Sequence, residues 1–234
     1  MGLINTKTSN VKVPISFDEI LNELNTHNTA YYAIFCKILD EDVVHKTIEF
    51  FRSLSSEIAN IYIILHITNG GNTSDCAILT KLFLNSGRKI TICVPEIAVS
   101  SGAQLALCGD SLVMGKYASL TPVDDQIDYN DDLGIYNIKR IEKEFRENDY
   151  RTLREYNSLI KAKYLRKTTK TELNNILSKK SKKVRKRVKK LFLKHKLYHA
   201  YPIDIEMVRK TGLEVIELTD EKIWKAFTDL YELW

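Results

Sequence analysis

Between residues 61 and 125 the chain repeats one pattern: an apolar run of strand length, a turn containing glycine, and a segment of helical character. The first unit is IYIILHI over residues 61–67, the turn TNGGN over 68–72, and a helical pattern from Thr73 to Phe83. The second is the strand Lys89–Val94, the turn AVSSGA over 98–103, and a run of small residues to Leu107. Strands that alternate with helices pair in parallel, because each crossover helix returns the chain to the start of the next strand. This repeat therefore predicts an α/β chain with a mostly parallel sheet.

Each turn also carries chemistry. A helix start presents unpaired backbone N–H groups and the positive end of a dipole. Gly70 and Gly71 allow a bend where a side chain would collide. Ser100 falls where a hydroxyl stands at the top of a helix, and the amides of Gly70, Gly71 and Ser101 are candidate donors to an oxyanion formed beside it. Taken singly, each turn is better explained by ordinary turn and N-cap chemistry. The pair at this spacing carries the functional reading.

The runs LHITNGG (65–71), VPEIAVSSG (94–102), LCGD (107–110), MG (114–115) and LTPVDDQ (120–126) resemble, in order, those of the serine dehydrogenase proteinase (SDH) family, whose wording is close to HTPGG, SAGT, LGAD, MG and PVDPQ. The likeness returns at HAYPI (199–203) and Gly212-Leu213, so it covers residues 31–215. An ordered set of motifs is far more specific than any one of them. The resemblance implies the Clp protease/crotonase-like fold, with repeated β-β-α-type units and C-terminal helical additions. It also implies a serine peptidase, with Ser100, the Ser of Ser-x-Gly, as nucleophile. Clp-fold proteins are generally trimers or hexamers, so a homo-oligomer, a trimer or a multiple of three, is expected. Asn69 stands where the family has Pro, and Ala103 where Thr is common.

The expected division is an N-terminal arm and short helix (1–30), an α/β core with both turns (31–125), an acidic loop and charged helical region (126–202), and a closing helix, strand and amphipathic helix (203–234). Residues 1–14 read as a loosely docked arm. Ser16 and Glu19 have capping-box spacing for a helix from Phe17 to about Asn25. Tyr31–Ile38 reads as the first strand, Val43–Leu54 as a helix, and Ser111–Met114 as a short strand. Asp124, Asp125, Asp128, Asp131 and Asp132 read as an acidic loop ending at Gly134. The spacing and glutamate of an EF-hand are missing, so no metal is expected. From Ile135 onward a long charged helix is predicted, then a separate short helix over Thr171–Leu177.

Residues 178–196 hold eleven Lys or Arg and no acid. Against a net charge of +5, the rest of the chain is left at −6. Val184, Val188, Leu191, Phe192 and His195 make one helical stripe, so this helix docks by an apolar side and turns a basic side outward. A solvated lysine face is the preferred reading, and contact with an anionic surface is the alternative. Specific nucleic-acid binding is not expected. A helix over Ile203–Lys210 ends at Gly212, Leu213–Ile216 returns as a strand, and Thr219-Asp220 caps a last helix with Trp224, Phe227, Leu230, Tyr231 and Trp234 on one side. No apolar run reaches the roughly 18–20 residues of a membrane span. The expected compartment is the cytoplasm, with a peripheral membrane contact as the alternative. Cys36, Cys76, Cys93 and Cys108 lack metal-ligand spacing and read as buried thiols in a reducing compartment.

A serine hydroxyl needs a base. In Clp proteases it is a His about 25 residues downstream, but residues 120–126 contain none. His199 is the best titratable candidate, and Asp124 a candidate orienting carboxylate. His66, at the end of its strand, reads as a structural hydrogen-bonding residue. A Ser–Lys dyad through Lys139, Lys161 or Lys163 is a further route. The expected substrate is a peptide or protein, with no cofactor. A catalytically inactive binding or scaffold module is the alternative. A crotonase-like acyl-CoA enzyme is a third class, but no adenine-nucleotide signature supports it, and no GxGxxG run supports hydride chemistry.

Overall fold

The computed structural model describes residues 16–123, 126–130, 134–137, 143, 146–147, 153–193 and 199–234. In chain order the elements are α1 (Phe17–Asn22), β1 (Thr29–Cys36), α2 (Glu41–Ser53), β2 (Asn60–Ile67), α3 (Thr73–Asn85), β3 (Lys89–Val94), β4 (Ile97–Ala98), α4 (Ser101–Ala106), β5 (Ser111–Met114) and β6 (Ser119–Leu120). They continue with β7 (Gln126–Asn130), β8 (Gly134–Asn137), α5 (Leu153–Ile176), α6 (Lys182–Phe192), α7 (Ile205–Arg209), β9 (Val215–Glu217) and α8 (Glu221–Leu233).

The fold is α/β with a mostly parallel sheet, as the repeated units predict. The strand order is β6-β4-β2-β3-β5-β9, with β1 on the remaining side of β2, and every pairing in this sheet is parallel. β2 is the seam. Its whole length pairs with β1, residues 60–64 pair with β3, and at Ile67 it leaves β3 and takes up β4. β2 and β3 read as near-continuous apolar runs because both faces are covered. On one face Ile61, Ile63, Leu65 and Ile67 join the main core with α2, α3, α4 and α6. On the other, Ile64 and Cys93 lie under Ile20, Leu21 and the α8 residues Ile223, Ala226, Phe227 and Leu230.

Local signals account for the helix starts. Ser16, Asp40, Asn72, Ser181, Asp204 and Asp220 each accept a first-turn N–H through the side chain, worth about 1 kcal/mol apiece. Three expectations need correction. Ile135 opens no helix: it lies in β8, which pairs antiparallel with β7 across part of the expected acidic loop. Its β-branched and aromatic residues, Ile127, Tyr129, Ile135 and Tyr136, carry strand propensity around Gly134. Thr171–Leu177 is no separate helix but the last turns of α5, since no Gly or Pro interrupts residues 153–176. Ile203 precedes its helix and instead bridges Leu120.

Candidate active site

The two glycine turns meet. β2 delivers the 68–72 turn, and Leu39, just beyond β1, pins it: Leu39 N donates to Gly70 O at 2.7 Å, and Asn72 N to Leu39 O at 3.3 Å. Gly71 has no room for a side chain, because a Cβ there would sit 2.4 Å from Leu39 Cβ and Leu39 O. β4 delivers the second turn, with Val99 N donating to Ile67 O at 2.9 Å. Gly102 brings α4 against β2, where an added Cβ would come within 2.9 Å of Ile67 Cβ.

Ser100 sits where the turns touch. A Cβ on Gly70, whose φ is +84°, would lie 2.9 Å from Ser100 Cβ and 3.5 Å from Ser100 Oγ. Ser100 itself has φ +52° and ψ −107°, the one non-glycine positive φ among the described residues. Such a conformation costs on the order of 1–3 kcal/mol and persists only when its surroundings over-determine it. Here they do: Ser100 N donates to Thr121 Oγ1 at 2.7 Å, Gln104 N donates to Ser100 O at 3.0 Å, and Gly102 N donates to Val99 O at 2.8 Å. The amides of Gly70, Gly71 and Ser101 make no hydrogen bond within the described residues. Ser100 itself is half-buried. Ser101 is buried, and its Oγ points into the interior without a partner.

Thr121 escaped the sequence reading as a site residue. Its signal was its place in the LTPVD run, which looked like motif wording rather than an anchor. Leu120 and Ile203 exchange both backbone bonds, at 2.9 and 2.7 Å, and Val123 N donates to Phe192 O at 2.9 Å. Both ends of the stretch between Phe192 and Ile203 are therefore fastened to the segment that holds the amide of Ser100. His199 lies in that stretch and is half-buried. Asp124 and Lys139 lie outside the described residues, and Lys161 and Lys163 are exposed on α5.

His66 belongs elsewhere. Strand alternation points it away from Ile67 and α4, to the face covered by α8. Its ring stands among Phe35, Phe227, Tyr231 and Trp234, with centroids 5.2–5.7 Å away. Among the described residues its Nδ1 is buried without a hydrogen-bond partner, and Glu96 Oε2 lies 3.8 Å away, so the expected hydrogen bond is not seen at this nitrogen. Burial lowers its pKa below the ordinary histidine value, and Glu96 opposes the shift only in part. The four cysteines are buried and lie outside any disulfide; burial pushes Cys36, Cys93 and Cys108 up to about 12, which removes them as nucleophiles near neutral pH.

A family profile described as ClpP-like SDH-type serine proteinase matches residues 29–233. No curated protein matches the chain. Among solved structures, a serine-to-alanine mutant of the 1510-N membrane-bound stomatin-specific protease matches with a TM-score of 0.59 at 14% identity, over 86% of this chain and 86% of that one. A lysine-to-alanine mutant of the same protease, in complex with a substrate peptide, gives the same TM-score and identity over 86% of this chain and 81% of its own. At that identity the likeness concerns the fold.

Proposed function

The chain belongs to the ClpP-like SDH-type serine proteinase family, and from that premise we propose that it hydrolyses peptide bonds with Ser100 as the nucleophile. The observation that carries this assignment is the left-handed backbone of Ser100, held against the Gly70 turn. Ser100 Oγ adds to the substrate carbonyl as its proton passes to a base. The amides of Gly70, Gly71 and Ser101 receive the developing oxyanion, and the base returns the proton to the leaving amine. Water then cleaves the acyl-enzyme and restores the hydroxyl.

His199 is the proposed base and Asp124 its orienting carboxylate. The reading is supported by the bonds that fasten the stretch carrying His199 to residues 120–123. A second reading, a serine–lysine pair, is favoured by the mutated lysine of the solved relative. Lys139 is then the candidate, since the exposed Lys161 and Lys163 gain no desolvation to lower their pKa.

A fluorophosphonate probe read by intact mass tests the scheme. One adduct is expected in the wild type and in Ser101→Ala, and none in Ser100→Ala. Removing the true base, by His199→Ala or Lys139→Ala, slows labelling by about 10²-fold or more. A wild type that takes no adduct leaves the family fold serving as a binding or scaffold module.

The proposal extends to assembly. Ile216, Tyr231, Leu233 and Trp234 are apolar residues exposed around α8 and β9, which suits a subunit contact in a trimer or a multiple of three. Light scattering at micromolar concentration checks this, and a strictly monomeric mass rejects it. No helix among the described residues is long and apolar enough to cross a membrane. The membrane-bound protease among the solved relatives supports a peripheral contact through the basic face of α6.

A further inference from the structure

Helix α4 starts differently from its neighbours. Six other helices hold their first turn with a side-chain oxygen at the N-cap, whereas Ser100, the N-cap of α4, makes no side-chain cap bond. An uncommitted hydroxyl suits a nucleophile, but the helix start loses its ordinary anchor. α4 has only six residues, well below the roughly 12–15 at which an isolated helix becomes even marginally stable. Its first turn nevertheless carries the left-handed Ser100, whose carbonyl accepts from Gln104 N at 3.0 Å. That turn needs support from outside the helix.

The support enters through Gln104. Its side chain is 4% exposed, and Nε2 donates to Glu172 Oε2, on α5, at 2.7 Å. A carboxylate only accepts, so the amide nitrogen is the atom that faces it, and a bond to an ionised acceptor is short and strong. The other polar side chain of α4, Ser101, has a partnerless Oγ. Two thiols also reach this helix, Cys76 Sγ to Ser101 O at 3.5 Å and Cys108 Sγ to Gln104 O at 3.3 Å, but a thiol is a weak donor. Glu172 stands on a firm base. Thr169, Leu173 and Ile176 around it on α5 are buried, and Lys189 Nζ ties α6 to Asn174 Oδ1 at 2.7 Å.

We propose that Glu172 is a positioning residue: through Gln104 it holds the first turn of α4, and with it the backbone of Ser100. Its effect on catalysis rests on the reading of Ser100 as the nucleophile. Without Glu172 the Gln104 amide is left buried and unpaired, a cost that the helix relieves by shifting. Such a shift moves Ser100 Oγ relative to the Gly70 and Gly71 amides, and a displacement of about 1 Å can slow a reaction by about 10²-fold.

Two readouts on the full chain test the proposal. Fluorophosphonate labelling of Ser100 is expected to slow about tenfold in Glu172→Ala, whereas Glu172→Gln keeps an acceptor oxygen and most of the rate. Gln104→Glu sets two carboxylates face to face and slows labelling. Adding Glu172→Gln to it exchanges donor and acceptor across the same gap and is expected to restore the rate. The second readout is independent of catalysis. The Gln104 amide, which donates to Ser100 O, is expected to exchange about tenfold faster in Glu172→Ala while the amides of β2 and β3 stay protected. Labelling of Glu172→Ala at the wild-type rate overturns the proposal, as does a swapped pair that stays slow. Faster exchange throughout the sheet also overturns it, because Glu172 then serves stability alone. A wild type that takes no adduct defeats the peptidase reading instead, and exchange at Gln104 then decides by itself whether Glu172 holds the turn.

Discussion

The crossing around Ser100 and the α5–α6 helices are built on opposite terms. At the crossing, backbones approach so closely that the missing atoms of glycine are the design: Gly71 against Leu39 and Gly102 against Ile67, with the same device just past β5, where a Cβ on Gly115 would lie 2.1 Å from the Pro95 carbonyl oxygen. Helix α6 is held by a few apolar side chains, with Val188 and Phe192 fully buried, while Lys182, Lys183, Lys186, Arg187 and Lys190 stand in solvent. One region is specified by what cannot be added, the other by the period of what is buried. Sequence change should therefore be severe at the first and mild at the second.

Gly115→Ala probes the contrast at its extreme. The new methyl meets the Pro95 carbonyl and, at 3.1 Å, Trp224. A loss of about 3 kcal/mol is expected, or about 6–12 °C in Tm for a chain of this size. A thermal melt within about 1–2 °C of wild type would mean that such close backbone approaches yield more readily than their contacts imply.

A smaller effect comes from the face behind the crossing. Burial depresses the pKa of His66, so the unfolded chain binds the proton more readily than the folded one. The sign follows: the stability from neutral His66 is present above the unfolded value of about 6.5. It falls as pH drops below that value, and the loss levels off beneath the folded pKa. His66→Phe keeps the ring packing and should flatten the pH dependence of the urea midpoint between pH 7 and 5. An unchanged slope would move the source to another group.

Least affected should be α6. Replacing Lys182, Lys183, Arg185, Lys186 and Arg187 with Gln leaves Lys189 bonded to Asn174 and should change stability by less than about 1 kcal/mol. Weak retention on heparin or anionic vesicles at low salt should disappear, because it rests on counterion release. A variant that unfolds would make these charges structural and erase the contrast. Equal retention would return the helix to a merely solvated face.

The same contrast sets what could be read from sequence. Periodicity located α2, α3 and β5 to within a residue or two, because each buries one side, and β3 was legible as an unbroken apolar run because both its faces are covered. The two turns were legible as Gly-Gly and Ser-Ser-Gly, since few residues tolerate such backbones. The β7–β8 hairpin was missed because five nearby aspartates outweighed its Ile and Tyr residues. Thr121 was missed because a hydroxyl that holds an amide 21 positions away leaves no local pattern. His66 was legible only in part for a related reason: sequence spacing placed it on one face of the sheet as a structural residue, but only the tertiary fold gathers Phe35, Phe227, Tyr231 and Trp234 around it.

The bridge between Leu120 and Ile203 also has a consequence in time. Thr121, which grips the amide of Ser100, is positioned by a partner that leaves the ribosome about a hundred residues after the serine does. At roughly 5–20 residues per second, that interval lasts on the order of 5–20 s. Throughout it a nascent chain would carry the proposed nucleophile without the bridge that positions Thr121. A peptidase assembled in this order stays inert beside its own unfolded, cleavable segments until almost all of them have been made.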